Sequence, residues 1–304
     1  MSQRALRRNR IVAEDAPGPS EPSEASSDDP ADENEVPSFN VILQQAKKFS
    51  PAHQSLATLM VNMGAITKKK FYLCFIRDVV RIHFKKNPEI VSKIACSVDE
   101  LDSLVSSLLG ELNPRLSELG LRLTSFVDEG TGREMVVLVS EDVLPKDISG
   151  LSGFSADELM LFLRWIPQFV EGNGQLESTW ALNEATKLPN PMTLVKAQNF
   201  VDRLVSDGWI SEKGDIICLE PRAIAELEPL LTAKYGCSSC ILCQKIVVRK
   251  NIAIICGSCD AQIHRHCWVK YSARSEGDDI SCPGRGITGC DQMFSKSDVE
   301  ECFS

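Results

Sequence analysis

The 304-residue chain has no run of eighteen apolar residues, and its start carries scattered arginines followed by acids rather than an apolar stretch. Neither a membrane span nor a secretory leader is expected from such a pattern, and cytosol or nucleus is the expected compartment. It also lacks basic excess: the net charge is -9. More than half of that sits in residues 1–40, where Arg4, Arg7, Arg8 and Arg10 face nine acids. A protein whose main task is to coat phosphate backbones is thereby disfavoured. Upstream of residue 237 cysteine is sparse, with Cys74, Cys96 and Cys218 sitting singly in apolar patterns that read as buried thiols.

The other nine of the twelve cysteines follow residue 236, and eight of them crowd with His264 and His266 into residues 237–290. Without a secretory leader, metal accounts for this crowding better than disulfides do. The string reads Cys240-x2-Cys243-x12-Cys256-x2-Cys259-x4-His264-x2-Cys267-x14-Cys282-x7-Cys290. Structural zinc takes four tetrahedral thiolate or imidazole ligands, and an x2 spacing lets one tight knuckle present two donors to one ion. A pair fills half a site, so the pairs must combine. In a cross-brace, Cys240, Cys243, His264 and Cys267 hold one zinc, and Cys256, Cys259, Cys282 and Cys290 hold the second. Interleaving knots together a segment too short for a large apolar core. Two points stay open at this stage: the x7 gap is wide for a knuckle, and Cys237 is a rival first ligand. His266 reads as a spectator. With all eight positions filled, no open coordination site for catalysis is expected, and no residue is assigned as catalytic.

Ahead of the cysteines, residues 1–37 are rich in Pro, Ser, Glu and Asp and read as a disordered acidic arm, with Ser20, Ser23, Ser26 and Ser27 in a solvated tail. From Phe39 to Ser140 the pattern reads helix, helix, helix, hairpin. Leu56, Leu59, Met60 and Met63 form a stripe ended by Gly64, and Phe71, Phe75, Val79 and Ile82 form another. Ser97-Val-Asp-Glu100 reads as a capping box, and Asp128–Gly132 as the turn between two β-rich runs. The order recurs: Ser155-Ala-Asp-Glu158 opens a helix expected to bend or end near Pro167, two more helices follow, and Lys213-Gly-Asp215 closes a second hairpin. A last helix from Pro221 leads into the cysteine block.

Three helices and a two-stranded wing, twice over, predict an α+β multidomain chain. It would consist of tandem winged-helix domains over 38–148 and 149–236, then a small two-zinc domain over 237–304. The winged helix serves DNA reading and protein docking alike. In the first copy the third helix carries Asp99, Glu100, Asp102, Glu111 and Glu118 against Arg115, which would repel phosphate; in the second, Lys196 and Arg203 balance Asp202 and Asp207. Protein docking is the expected role, with direct DNA binding weak or absent. Lys245, Arg249 and Lys250 read as keeping a loop solvated.

Four Cys, one His and three Cys, with His after an x4 gap, resembles both PHD fingers and variant RING domains. PHD fingers typically carry Trp where this chain has Ile280, and a histone-reading cage would find only Trp268 and Tyr271 near the knuckles. RINGs that dock a ubiquitin-conjugating enzyme carry apolar residues in the first pair, after the sixth ligand, and Pro after the seventh. The matching positions are Ile241 and Leu242, Trp268, and Pro283. Over residues 45–290 the chain resembles the non-SMC element 1 family, RING-like subunits of the Smc5-Smc6 chromosome-maintenance complex. Gly208-Trp209-Ile210, Arg222-Ala-Ile-Ala-Glu226, and Cys259-x4-His264-x2-Cys267 followed by Lys270-Tyr271 carry the likeness most specifically.

The resemblance implies a nuclear ubiquitin-ligase subunit acting in DNA repair and recombination. It also implies a MAGE-type winged-helix partner, a kleisin partner and a conjugating enzyme docked on Ile241, Trp268 and Pro283. Many active RINGs place Arg or Lys after the eighth ligand, where this chain has Asp291. The alternative is therefore a structural zinc-binding docking subunit with little ligase activity.

Overall fold

The computed structural model describes residues 37–141 and 153–301. The acidic arm, apart from its last residue, and the expected boundary near 148 lie outside the described residues. No described helix is long and apolar enough to cross a membrane.

The first module runs α1 (Phe39–Ala46), α2 (Pro51–Met63), β1 (Ala65–Thr67), α3 (Lys68–His83), α4 (Val98–Ser117), β2 (Leu121–Val127) and β3 (Glu134–Ser140). Gly64, at φ 67°, ends α2 in a conformation that costs other residues a Cβ clash. The capping box of α4 is complete, with Ser97 and Glu100 exchanging side-chain and backbone hydrogen bonds. Phe71, Phe75 and Val79 of α3 and Leu104, Leu108 and Leu112 of α4 face one core. The hairpin turns at Asp128, which accepts the N–H of Gly130 and the hydroxyl of Thr131.

The second module repeats most of this order: α5 (Ala156–Glu171), β4 (Gln175–Glu177), α6 (Ser178–Glu184), α7 (Leu194–Ser206), β5 (Ile210–Lys213) and β6 (Ile216–Leu219), then α8 (Pro221–Tyr235). Both modules hold a three-stranded antiparallel sheet in which the last strand is central, β1-β3-β2 and β4-β6-β5.

Three features depart from the sequence reading. The helix α1 was not expected, and neither were β1 and β4, which at three residues each are too short to show an alternation. In addition, α5 continues through Pro167 to Glu171. Its buried face, Leu161, Phe162, Trp165, Ile166 and Phe169, extends past the proline, and that packing offsets the hydrogen bond proline removes.

The apolar run Met135–Val139 has a simple cause. Val136 joins the first core, whereas Val137 and Val139, with Phe126 of β2, are buried in the core of the second module. The hairpin is thus covered on both faces, the condition under which a strand loses its polar alternation. Two residues of the Arg222–Glu226 motif reinforce this junction. Arg222 stacks over Trp209, 4.7 Å from the ring centroid, and crosses so close to Gly64 that a Cβ there would lie 2.3 Å from its guanidinium carbon. Glu226 accepts the backbone N–H of Ser140 at 2.8 Å.

His53 is fully buried between Phe49 and Phe75. Its Nε2 lies 3.2 Å from the Ala46 carbonyl, which can only accept, and its Nδ1 lies 3.0 Å from the Ser50 hydroxyl. That pairing suits the neutral ring, and burial holds its pKa below the ordinary value. Below the unfolded-state value, about 6.5, the unfolded chain takes up a proton that the folded chain resists. The His53 contribution is complete above that pH and declines as pH falls through the folded value. Denaturant titrations at pH 7.5 and 5.5 should show a smaller loss of stability in His53→Gln than in the unaltered chain. An equal loss in both would refute the assignment.

Candidate metal centre and the junction behind it

Two tight knuckles with the same backbone present the first two cysteine pairs. After Cys240 and Cys243 the chain turns through Gln244 at φ 61°, and Gln244 N–H donates to the Cys240 carbonyl at 2.8 Å. After Cys256 and Cys259 it turns through Asp260 at φ 56°, and Asp260 N–H donates to the Cys256 carbonyl at 2.9 Å. The third pair uses a helix: His264 stands just ahead of α9 (Arg265–Ser272) and Cys267 lies in its first turn. Short strands β7 (Ile254–Ile255) and β8 (Gln262–Ile263) pair antiparallel on either side of the second knuckle. The wide last gap is spanned by one helical turn, α10 (Arg285–Thr288), with Gly289 left-handed at φ 70°. Beyond it β10 (Met293–Ser295) pairs with β9 (Asp279–Ser281), and α11 (Lys296–Glu301) follows.

This path brings the eight residues into two interleaved groups. The donor atoms of Cys240, Cys243, His264 and Cys267 lie within 4.8 Å of one another, and so do those of Cys256, Cys259, Cys282 and Cys290. In the second group the Cys256–Cys290 and Cys259–Cys282 sulfur pairs are each 3.7 Å apart. A tetrahedron with Zn–S bonds of about 2.3 Å has edges of about 3.8 Å. In the first, His264 Nδ1 is 3.3 Å from Cys243 Sγ and 3.9 Å from Cys267 Sγ. Its Nε2 donates to the Ile246 carbonyl at 2.9 Å, which leaves the Nδ1 lone pair for a metal and fixes the ring orientation. Donor chemistry and spacing in both groups therefore suit a tetrahedral ion such as zinc.

Electrostatics say the same. Hydrogen bonds with Cys243 and Cys267 hold the Cys240 thiol far below its ordinary value, while those with Cys240 and Cys243 push Cys267 far above its own. Burial works against a charge on His264, yet the Cys240 and Cys243 sulfurs raise it to about 10. In the other group burial is the largest influence on Cys256 and acts upward, but hydrogen bonds bring it down to about 7; Cys282, with burial first among the causes, is pushed up to about 12. Without a cation the donors can only share protons. A divalent ion would let every thiol ionise.

Cys237 belongs to neither group; it is buried in the core of the second module. His266 stacks on His264 at 4.9 Å without joining the donors. Ile241 and Pro283 are half-buried. Trp268, read as a docking residue, is only 1% exposed, packed edge-on against Phe294 and tilted against Tyr271. Its ring fills the centre of the small core beside the first donor group and so presents no surface to a partner.

Sequence reasoning missed the residues behind the donors. Glu129, in the turn of the β2–β3 hairpin, is 5% exposed. Its carboxylate accepts the N–H groups of Val248 at 3.1 Å and Arg249 at 2.9 Å, and stands 4.0 Å from His264 Nε2. Burial raises its pKa, opposed by those N–H groups and the neighbouring ring. Arg249, expected to solvate a loop, instead donates to the Leu219 carbonyl at 3.2 Å and lies against Gly130, where a Cβ would come within 2.5 Å of it. Glu129 looked like a polar turn residue because its partners lie some 120 positions away.

No family model matches the chain. Fold and site define a mixed α/β protein ending in a cysteine and histidine domain able to hold two metal ions. Its relatives are proteins named non-structural maintenance of chromosomes element 1 homolog. The one from Drosophila melanogaster is 27% identical over 188 residues, 60% of this chain and 76% of that protein. The one from Bos taurus is 25% identical over 211 residues, 68% and 74% of the two chains, and the human one 26% over 180, 58% and 64%. A solved Nse1-Nse3-Nse4 complex contains a chain of similar fold, with a TM-score of 0.59 and 22% identity over 81% of this chain and 97% of that one. The chain is thus similar in sequence to non-SMC element 1 proteins.

Two outcomes follow from the site. Structural zinc contributes on the order of 10–16 kcal/mol to folding in small zinc peptides, so chelation should unfold the C-terminal segment while most helical signal from α1–α8 survives. Trp268 fluorescence against far-UV dichroism reads both, and loss of neither on complete chelation would exclude a structural metal. Glu129→Ala leaves two buried N–H donors unpaired and should destabilise the chain by about 2–4 kcal/mol in denaturant titration, with Glu129→Gln less affected because its amide oxygen still accepts.

Proposed function

We propose that this chain is the RING-like subunit of an Smc5-Smc6 type complex, holding two zinc ions in a cross-brace and promoting ubiquitin transfer with the help of a MAGE-type partner. The observation that carries the reading is the interleaved grouping of eight donors at the end of two helix–sheet modules, in a relative of the non-SMC element 1 proteins. The modules are read as winged helices from their helix–strand–helix–helix–hairpin order with a central last strand. Domain boundaries at 38–148, 149–236 and 237–304 go with that reading. The likeness in fold to a chain of a solved Nse1-Nse3-Nse4 complex supports a MAGE-type and a kleisin subunit as partners here. Chromosome-associated, nuclear action in DNA repair goes with the same assembly.

The chemistry would be catalysis by orientation: a charged conjugating enzyme is held so that a substrate lysine attacks its thioester. The chain itself would form no thioester. Among the described residues of the C-terminal segment every cysteine is either a donor or, like Cys237, buried. With Trp268 inside, the docking surface narrows to Ile241 and Pro283, beside half-buried Leu242. Asp291 lacks the cation usual after the eighth ligand, but exposed Arg285 stands 3.8 Å from it and supplies one. The structural-subunit reading keeps the same partners without transfer, and Asp291 favours it.

Ubiquitin-chain formation by the purified chain, with and without a co-expressed MAGE-type partner, separates the two. Partner-dependent activity should be abolished by Cys256→Ala and reduced about tenfold or more by Ile241→Ala with Pro283→Ala, equivalent to about 1.4 kcal/mol of docking energy. No activity in any combination, with partner binding intact, leaves the structural subunit.

A further inference from the structure

Between the β2–β3 hairpin and α9 lies a cleft of about 370 Å3, within the size range of ligand-binding pockets, about 300–1,000 Å3. Part of that space borders the first donor group, through Cys243, His264 and Cys267; its apolar lining is buried Phe126 with half-buried Met135, Leu242 and Tyr271. The Tyr271 hydroxyl is already committed to the Ser281 carbonyl at 3.1 Å, so the ring is what that side chain offers. Around the apolar residues stand Lys68, Lys245, Lys270 and Arg274, with Glu134 as the one carboxylate of the lining. Glu134 is shared, 2.9 Å from Lys68 Nζ and 3.3 Å from Lys270 Nζ, and Lys68 also pairs with Asp102. Lys245 and Arg274 have no ion-pair partner among the described residues. A chain of net charge -9 has therefore gathered cations around one apolar cleft.

We propose that this cleft binds a peptide segment of a partner that places a large apolar side chain against the half-buried Met135, Leu242 and Tyr271 and flanking Asp or Glu residues against Lys245 and Arg274. Desolvated apolar anchors with charges at the rim are the usual division between affinity and specificity in such sites. A nucleic acid fits less well, because two unpaired cations neutralise too few phosphates to overcome the acidic charge of the rest of the chain. The proposal does not depend on ubiquitin transfer, since it concerns a cleft formed jointly by the first module and α9.

The test uses the metal-loaded full chain and a fluorescein-labelled peptide, Gly-Asp-Glu-Phe-Leu-Glu-Asp, read by anisotropy. Saturable binding that weakens with salt is expected. It should weaken about tenfold in Lys245→Glu with Arg274→Glu, while Glu134→Gln, which removes the one carboxylate of the lining and frees Lys270, should tighten it. Exposed Lys48→Glu should change nothing, and zinc content confirms that each variant is folded. Should a variant not fold, the same peptide with Ser-Ser in place of Phe-Leu, titrated against the unaltered chain, decides alone: it should lose binding. Equal binding of the Ser-Ser peptide, indifference to Glu134→Gln and the double reversal, or tighter binding of an oligothymidylate would each overturn the proposal.

Discussion

Phe126, Val137 and Val139 belong to the chain segment of the first module but are buried in the core of the second, while Leu123 and Val136 of the same hairpin face the first core. Water is thus excluded from both faces of β2–β3. Separating the modules would expose those side chains, each at a cost of about 1.5–3 kcal/mol. Arg222 and Glu226 of α8 secure the same contact with a stacked guanidinium and a carboxylate on the Ser140 N–H. From that anchored hairpin the turn carries Glu129 into the C-terminal segment, where it satisfies two backbone donors next to His264. The orientation of the donors relative to the helical modules therefore rests on this carboxylate together with Arg249 on the Leu219 carbonyl and the burial of Cys237, Ile246 and Val248 in the second core.

Metal donors do in the C-terminal segment what side-chain packing does elsewhere. The apolar residues there form only a small cluster around Trp268 and Ile280. The two donor groups are interleaved along the chain, so each ion would close a loop containing part of the other site. Local geometry suits this use: two knuckles end in left-handed residues, and Gly284 sits where a Cβ would come within 3.0 Å of Cys259 Sγ. Any larger residue there would press on the second group.

The donors were legible because ligand spacing is a local property: x2 knuckles and a His placed one helical turn before Cys267 show in the order of residues alone. Helices with capping boxes and Gly stops were legible for the same reason. Strands β1 and β4 were not, because three residues hold too little periodicity and their pairing with β3 and β6 is formed across long loops. Pro167 misled because its local penalty is visible in sequence while the packing that offsets it is not. Trp268 misled because a position in a motif does not say which way a side chain faces.

By itself the sequence determined most of the helices, both hairpins, the eight residues that could hold metal and the likeness to non-SMC element 1 proteins, all carried by short-range spacing and composition. Tertiary structure alone decided that Cys237 stays in an apolar core, that Trp268 is interior, and that Arg249 and Glu129 are junction residues. It also decided that four cations surround one apolar cleft. Such facts depend on contacts between residues a hundred or more positions apart, and the burial of a side chain belongs to those contacts rather than to its neighbours in the chain.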